Sequence, residues 1–241
     1  MEENKIRLNK YLSDAGVCSR READRLTEAK KVTIDGRIAL LGEKVTGEEK
    51  ICINSKEIQK NDKKVILCYN KPRGIVCSTV DQEKKNSNNI VTAIGYPIRV
   101  YPVGRLDKDS EGLIFLTNDG DIVNKIMRAG NFHEKEYLVS VNQPVTQEFL
   151  QKMEKGVSID AGLTRPCKVI KTGEQSFSIV LTQGLNRQIR KMCEALSYQV
   201  VTLKRIRIMN VTLGDLKCGE YREMTDEEKI ELILLCKDSR N

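Results

Sequence analysis

A charged loop followed at once by an apolar run lies near the middle of the chain and strongly constrains how it can fold. Glycines bound the loop at residues 104–112, and the apolar residues 113–117 follow directly. A short apolar run after a polar turn is typical of a buried strand. Within the loop, Asp107 lies between Arg105 and Lys108. The loop is therefore either a charged surface segment or the carrier of a carboxylate that nearby cations keep ionised for nucleophilic or base chemistry.

Other short apolar runs predict further strands, and only a few segments have helical periodicity. Strands are predicted at residues 65–69, 75–79, 100–103, 136–141, 169–171, 177–181 and 200–213. A helix is predicted from Asp121, as its cap, to an end at Gly130. Further helices are predicted at residues 147–155 and 187–196, and after the capping box at 225–228. The strands are interleaved with a few helices and do not alternate regularly with them. This pattern favours an α+β fold over repeating βαβ units.

The first 60 residues have a different pattern. Apolar residues at helical spacing predict a first helix that Gly16 can end: Ile6, Leu8, Tyr11, Leu12 and Ala15. Residues 19–22 form a capping box for a second helix to about Lys30, and residues 32–36 predict a strand that ends in a turn. Polar, turn-rich residues follow, which predicts two domains, 1–60 and 65–241, with a linker near 60–64.

Composition excludes several classes of protein. The chain of 241 residues is 39% hydrophobic and 31% charged, which is ordinary for one or two globular domains. There is no run of eighteen apolar residues and the N-terminus is polar, so we expect a cytoplasmic protein without a membrane partner. Its eight cysteines include no C-x-x-C pair. Reduced thiols in a reducing compartment are therefore expected, and a zinc site is not.

The motifs of metal, nucleotide and histidine-based enzymes are missing from the sequence. His133 is the single histidine, which excludes an H-E-x-x-H site. Residues 42–47 have the glycine spacing of a P-loop, but Glu48 and Glu49 stand where lysine and serine or threonine are required. An enzyme with this sequence is expected to work without a cofactor. The net charge of +7 favours a polyanionic partner.

Cations stand at the start of two predicted helices. Arg20 and Arg21 open the second helix, and Arg187, Arg190 and Lys191 open the helix at 187–196. The helix dipole disfavours positive charge there by a few tenths of a kcal/mol. A bound RNA phosphate or a nearby carboxylate would offset that cost. The alternative is a solvated charged surface, because acidic residues are interspersed among the cations of the second helix.

The N-terminal pattern resembles the S-four-type RNA-binding domain. The similarity lies in residues 7–12, 16–23 and 32–36. It implies a small helix-helix-strand module that binds structured RNA through a basic helical face, which Arg7 and Lys10 would extend. The sequence departs from the family where Ala29, Lys30 and Lys31 replace the usual glycine after the second helix.

Four motifs in the rest of the chain closely resemble the RNA pseudouridine synthases of the RsuA-like branch. They are residues 70–74, 104–113, 135–137 and 184–192, in this order and after the N-terminal module. Within the branch the chain is most similar to the RluF type, which acts on large-subunit ribosomal RNA. The resemblance implies a mixed, mainly antiparallel sheet flanked by helices. It also implies a reaction without cofactor, in which uracil is detached from ribose and rejoined through carbon five.

The resemblance assigns roles to individual residues. Asp107 matches the catalytic aspartate, Tyr137 the active-site tyrosine, and Arg190 the basic residue that pairs with the aspartate. Taken alone, Tyr137 would more often be a core aromatic. A carboxylate held ionised by a guanidinium suits nucleophilic attack, and a tyrosine offers a flat face for a flipped base. The residues expected to contact RNA are Arg7, Lys10, Arg20, Arg21, Lys71, Arg105 and Arg187.

Two other functions are compatible with parts of the sequence. A non-catalytic RNA-binding or ribosome-assembly factor would use the same basic surfaces. A glycosidase would need a second carboxylate, from Asp109 or Glu111, to act with Asp107. The expected partner is ribosomal RNA, as a stem-loop or within a pre-ribosomal particle, bound by a monomer. The target uridine does not follow from the sequence, because RNA recognition depends on shape and on unpaired bases.

Overall fold

A computed structural model describes residues 5–59, 63–78, 88–127 and 129–237. The chain forms two compact units. One contains residues 1–65, 96–100 and 118–120, and the other contains residues 66–95, 101–117 and 121–241. Most of the predicted linker, residues 60–62, lies outside the described residues. The N-terminal unit thus includes two short segments from later in the chain.

The N-terminal unit packs two helices against small sheets. Its elements are β1 (Ile6–Arg7), α1 (Leu8–Asp14), α2 (Arg20–Glu28), β2 (Val32–Ile34), β3 (Arg37–Ile38), β4 (Lys44–Val45), β5 (Ile51–Ile53) and β6 (Lys56–Glu57). The sheet order is β3-β2-β5-β6, and β1 pairs with β4. Placing Ile6 in the first helix was wrong, because it pairs with Val45 in an antiparallel ladder. The predicted cap of α2 is confirmed, since the Ser19 hydroxyl accepts a hydrogen bond from the Glu22 N–H.

The larger unit contains the remaining elements. Its first part comprises β7 (Ile66–Lys71), α3 (Ile90–Ile94), β8 (Tyr101–Val103), β9 (Glu111–Thr117), α4 (Gly120–Met127), β10 (Lys135–Val141) and α5 (Gln147–Lys155). Its second part comprises β11 (Ser158–Ile159), β12 (Gly162–Leu163), β13 (Lys168–Gly173), β14 (Ser176–Leu181), α6 (Gln188–Ala195), β15 (Val200–Ile208), β16 (Val211–Thr212), β17 (Tyr221–Glu223) and α7 (Asp226–Leu235).

A nine-stranded mixed sheet organises this unit. Its main order is β13-β14-β10-β15-β9-β7-β17, with β8 paired to β9 and β16 paired to β15. The predicted α+β class with a mainly antiparallel sheet is confirmed. Apolar side chains from α5, α6, β10 and β14 form one core cluster, and those from α4, α7 and β9 form another.

A parallel pair, β9 with β15, joins the two halves of the sheet. Lys204 pairs with Glu111, and Arg205 pairs with Gly112. Gly112 has a φ of +103°, and a Cβ added there would lie 2.2 Å from the carbonyl oxygen of Arg205. Only glycine allows the two backbones to approach so closely.

Some predicted elements differ from the structure. The strand predicted at residues 75–79 is not formed by residues 75–78, where Val76 makes only an isolated bridge to Asn89; Thr79 lies outside the described residues. The long strand predicted at 200–213 ends at Ile208, where Met209 has a φ of +52° and the chain turns back into β16. Helix α4 begins at Gly120, so Asp121 is inside its first turn and is not its cap.

Other predictions are confirmed. Helix α5 spans the predicted residues 147–155. The hairpin of β13 and β14 is present, with its turn after Gly173. Helix α7 begins with the predicted capping box, formed by Thr225 and Glu228. Among the described residues, no helix is both long and apolar enough to cross a bilayer.

The close approach at Gly112 can be tested against a matched glycine. We expect Gly112→Ala to lower the free energy of unfolding by at least about 2 kcal/mol more than Gly162→Ala does. Gly162 has a nearly identical φ of +102° but has no atom within 4 Å of an added Cβ. Both variants therefore carry the same backbone strain, and only Gly112→Ala adds the collision. Urea titration followed by circular dichroism measures both losses, and equal losses would contradict the tight contact.

Candidate active site

Asp107 lies on the loop between β8 and β9, at the end of the sheet where β9 begins. Its backbone carbonyl accepts a hydrogen bond from the Ser110 N–H at 3.1 Å, which closes a turn directly before β9. Its side chain is 31% exposed. The carboxylate is thus fixed in place by a local turn while it remains accessible to a substrate.

Arg187 supplies the cation at ion-pair distance from this carboxylate. Its Nη1 is 3.7 Å from Oδ2 of Asp107. Arg187 is the residue directly before α6 and has a left-handed backbone, with φ of +51° and ψ of 34°. A non-glycine residue in this conformation costs of order 1–3 kcal/mol, and such strain concentrates at functional sites. Because its side chain is 42% exposed, Arg187 can contact a bound phosphate as well as Asp107.

Arg190 secures the backbone of the loop. Its side chain is buried, and Nη2 donates to the carbonyl oxygen of Asp109 at 3.3 Å and to the Ser110 hydroxyl at 3.4 Å. Nη1 donates to the carbonyl oxygen of Val200 at 3.4 Å. The direct pairing of Arg190 with the Asp107 carboxylate, expected from the sequence, is replaced by these contacts and by the ion pair with Arg187. Burial, and then the charge of Arg187, lower the pKa of Arg190, whereas Asp107 and Asp109 oppose that shift.

Lys71 is fully buried, which corrects its predicted role as an RNA contact. Its Nζ donates to the carbonyl oxygens of Pro72 at 2.8 Å and Ile75 at 2.9 Å. An ammonium group with no solvent-exposed surface cannot bind a phosphate of the substrate directly. Burial lowers the pKa of Lys71, while Cys77 and then Asp107 raise it. Its role in the structure is to hold the turn at residues 72–75.

The turn at residues 72–75 also contacts the loop at residues 104–112, which carries Asp107. The Gly74 N–H donates to the carbonyl oxygen of Lys108 at 2.7 Å. The Leu106 N–H lies 3.3 Å from the Cys77 sulfur, which accepts its hydrogen bond. Together with Arg190 on the other side, these contacts secure the backbone on both sides of Asp107.

Tyr137 lies on β10, two strands away from the start of β9. It pairs with Arg205 on β15. The register shifts between Glu136 and Tyr137, because β15 has one extra residue there. Arg205 also pairs with Gly112, so Tyr137 and Gly112 lie about 10 Å apart on either side of β15. The buried Arg205 donates from Nε to the Leu113 carbonyl oxygen at 2.6 Å, and its guanidinium carbon is 6.0 Å from the centre of the Tyr137 ring. The bulge and this buried cation orient Tyr137, which is half-buried against the core.

Lys135 is a second buried cation near Tyr137, at the start of the same strand, β10. It is 9% exposed, and burial, followed by the charge of Arg205, lowers its pKa to about 8. Its Nζ donates to the carbonyl oxygen of His133 at 3.3 Å. Neither Lys135 nor Arg205 was predicted from the sequence as a buried cation. Strand alternation could have indicated them, because Lys135 has the same phase as the buried Val139 and Arg205 the same phase as the buried Leu203.

The remaining predicted RNA contacts are on the surface of their own units. Arg105 is exposed on the loop that carries Asp107. In the N-terminal unit, Arg7, Arg20 and Arg21 are exposed, and none of them makes an ion pair with any residue that the structure describes. Lys10 differs, because its Nζ pairs with Asp14 at 2.8 Å one turn further along α1.

The thiols of Cys68 and Cys193 are buried, which raises the pKa of each to about 12 and makes them unreactive.

Comparison with known proteins accounts for both units. A family profile described as RNA pseudouridylate synthase matches residues 65–195, and an S4 domain profile matches residues 6–51. The dual-specificity RNA pseudouridine synthase RluF of Escherichia coli is 49% identical over 241 residues, covering 99% of this chain and 82% of that protein.

Two further relatives extend the similarity. The ribosomal large subunit pseudouridine synthase B of Bacillus subtilis is 36% identical over 244 residues and matches 98% of both chains. A crystal structure of a pseudouridylate synthase superimposes with a TM-score of 0.69 at 28% identity, covering 94% of this chain and 99% of that one. The similarity therefore extends over the sequence and fold of nearly the whole chain.

The burial of Lys135 predicts how stability depends on pH. An unfolded lysine has a pKa of about 10.4, whereas Lys135 in the folded protein has one of about 8. Between these two values the unfolded chain binds more protons, so the folded state gains stability as the pH rises. Relative to Lys135→Met, the wild-type protein should gain up to about 3 kcal/mol between pH 8 and 10.4. Urea unfolding of both proteins at each pH measures this difference, and a constant difference would contradict the lowered pKa.

Proposed function

The chain belongs to the RNA pseudouridylate synthase family, and we propose that it acts in the cytoplasm on a uridine of ribosomal RNA, with Asp107 as its catalytic carboxylate. Enzymes of this family are isomerases that convert uridine to pseudouridine in RNA. Two observations support ribosomal RNA as the substrate. The Bacillus relative is named for the large ribosomal subunit, and its similarity covers 98% of both chains.

One observation carries the assignment of Asp107. Its carboxylate is partly exposed and paired with the Arg187 guanidinium, while the buried Arg190 and the turn at residues 72–75 hold the surrounding backbone. A nucleophile that must meet a sugar or base carbon needs this combination of accessibility and fixed position.

The reaction requires little beyond these residues. The bond between C1′ of ribose and N1 of uracil breaks, the base turns, and C5 bonds to C1′. The proton on C5 is released and N1 gains one, so the product is an isomer of the substrate. The Asp107 carboxylate acts as the nucleophile, either on the sugar or on the uracil ring. The half-buried Tyr137 offers a ring face for the flipped base and a hydroxyl that can move a proton.

RNA binding has to compensate for extrusion of the uridine, which costs a few kcal/mol. Arg105 and Arg187 can contact phosphates next to the catalytic loop, since both side chains are exposed. The N-terminal unit adds Arg7, Arg20 and Arg21, which match the S4 profile and are free of acidic partners among the described residues. Phosphate contacts of this kind position the RNA without reading its sequence.

Asp107→Asn should reduce pseudouridine formation at least a thousandfold, on the order of losses seen when a catalytic nucleophile is removed. Asp109→Asn is the matched control, because Asp109 is an exposed carboxylate on the same loop. Transcribed large-subunit ribosomal RNA labelled with tritium at C5 of uridine releases tritium on turnover. We expect Asp107→Asn to bind this RNA with wild-type affinity.

The outcome separates an enzyme from a binding factor. Turnover by a folded Asp107→Asn variant at the wild-type rate would refute the assignment of Asp107. Absence of tritium release by the wild-type protein despite tight RNA binding would support a non-catalytic RNA-binding factor.

The N-terminal cations predict a salt-dependent contribution to affinity. Replacing both Arg20 and Arg21 by alanine should weaken RNA binding and reduce the slope of log affinity against log salt by about 2. Arg25→Ala is the control on the same helix, because Arg25 is exposed but already paired with Glu22 at 3.0 Å. Filter binding at several salt concentrations measures both slopes. Equal slopes for the double variant and Arg25→Ala would exclude phosphate contacts at the start of α2.

A further inference from the structure

We propose that Phe132 and Arg165 form a stacking site for an unpaired base of the RNA, separate from Asp107, Arg187 and Tyr137. This inference rests on the proposed function in that it needs an RNA substrate. It adds a specific contact that neither the catalytic motifs nor the basic surfaces include.

Phe132 is unusual in both its exposure and its backbone. The side chain is 58% exposed, and its φ is +55°. A bulky residue in the left-handed region is strained, and an exposed ring gains little from burial. Burial of the ring therefore gives little reason for a phenylalanine at this position.

The neighbouring backbone holds Phe132 in place. Directly before Phe132, the side-chain amide of Asn131 donates from Nδ2 to the Lys125 carbonyl oxygen at 2.7 Å. After it, the Lys135 ammonium donates to the His133 carbonyl oxygen, and the Met209 N–H donates to the Glu134 carbonyl oxygen at 2.9 Å. The ring is thus presented on a fixed segment between α4 and β10.

Arg165 covers one side of the ring. Its guanidinium carbon lies 4.1 Å from the centre of the Phe132 ring, and its Nη1 is 3.5 Å from the Thr182 carbonyl oxygen. A cation at this distance over a ring is a favourable cation–π contact. Because Phe132 remains more than half exposed, the rest of the ring is open to a second flat group. A nucleobase stacked there would cover the open face of the phenyl ring, with the Arg165 guanidinium on the opposite face.

Each member of the pair is linked along the chain to a residue that contacts the loop at residues 104–112. Thr182, which accepts from Arg165, is five residues before Arg187, the partner of Asp107. On the other side, the Met127 side chain fills the space beside Gly104, where an added Cβ would lie 2.5 Å from its sulfur. Met127 is five residues before Phe132 in the sequence. A nucleotide near the flipped uridine is the ligand that this position favours.

The chemistry of the surroundings favours RNA over an apolar protein partner. The ring is backed by Arg165, and exposed Arg105 and Arg187 lie on the loops to which the pair is connected. Extruding a uridine leaves neighbouring bases without their stacking partners. An aromatic platform with cations nearby recovers that stacking and attracts the adjoining phosphates.

The absence of tryptophan from the whole sequence allows a direct optical test. Phe132→Trp introduces a single tryptophan that keeps a flat ring at the site. In the Asp107→Asn background, which removes turnover, we expect its fluorescence to be strongly quenched by large-subunit ribosomal RNA and unchanged by heparin, a polyanion without bases. An unchanged emission at saturating RNA would overturn the proposal. Equal quenching by heparin would also do so, because the introduced residue would then report bound charge and not stacking.

The Phe132→Ala variant measures how much the stacked base contributes to RNA affinity. Loss of one stacked base should weaken RNA binding about five- to a hundredfold and leave the salt slope unchanged, since no phosphate contact is removed. Ile233→Ala is the control, because Ile233 is similarly exposed, at 57%, on α7. Phe132→Tyr should restore affinity. If Phe132→Ala and Ile233→Ala bind RNA equally well while the wild-type protein releases tritium normally, the stacking site is refuted and the proposed function stands.

Discussion

The close backbone approach of Gly112 to Arg205 is the constraint on which the rest of the larger unit depends. It permits β9 and β15 to pair in parallel within a sheet whose other described strand pairs are antiparallel. Through this contact the loop that carries Asp107 and the strand that carries Tyr137 belong to one continuous sheet. A side chain at position 112 would push the two backbones apart, and the separation between the two groups would no longer be defined.

Buried cations fix the loop that carries Asp107 relative to this sheet. Arg190, Lys71 and Arg205 are each less than a tenth exposed, and all three donate hydrogen bonds to backbone carbonyl oxygens near the loop that carries Asp107. Burying a cation is expensive unless it is hydrogen-bonded. These buried cations lie at positions where they hold the backbone of the loop and place positive charge around it. The accessible Arg187 makes the ion pair with Asp107. Positioning and charge compensation are thus divided among different residues.

Local sequence signals predicted the elements well where they depend on caps and apolar periodicity, as at α2, α5 and α7. They predicted less where tertiary contacts decide. Ile6 has a helical phase but pairs in β1, because Val45 offers a strand partner. Lys71 looks like a surface cation in a turn, and only the fold shows that it is enclosed. The pairing of Arg187 with Asp107 depends on a left-handed residue before α6, which the i to i+3 spacing of Arg187 and Arg190 does not reveal.

From the fold, the relatives and the geometry of the loop, we infer that the chain isomerises a uridine in ribosomal RNA through the Asp107 carboxylate. Mapping of pseudouridines in large-subunit ribosomal RNA from cells that lack the protein tests it most directly. We predict that at least one pseudouridine disappears, and that it returns when the wild-type chain is supplied but not when position 107 carries asparagine. A map identical to that of wild-type cells, in ribosomal RNA of both subunits, would contradict the account.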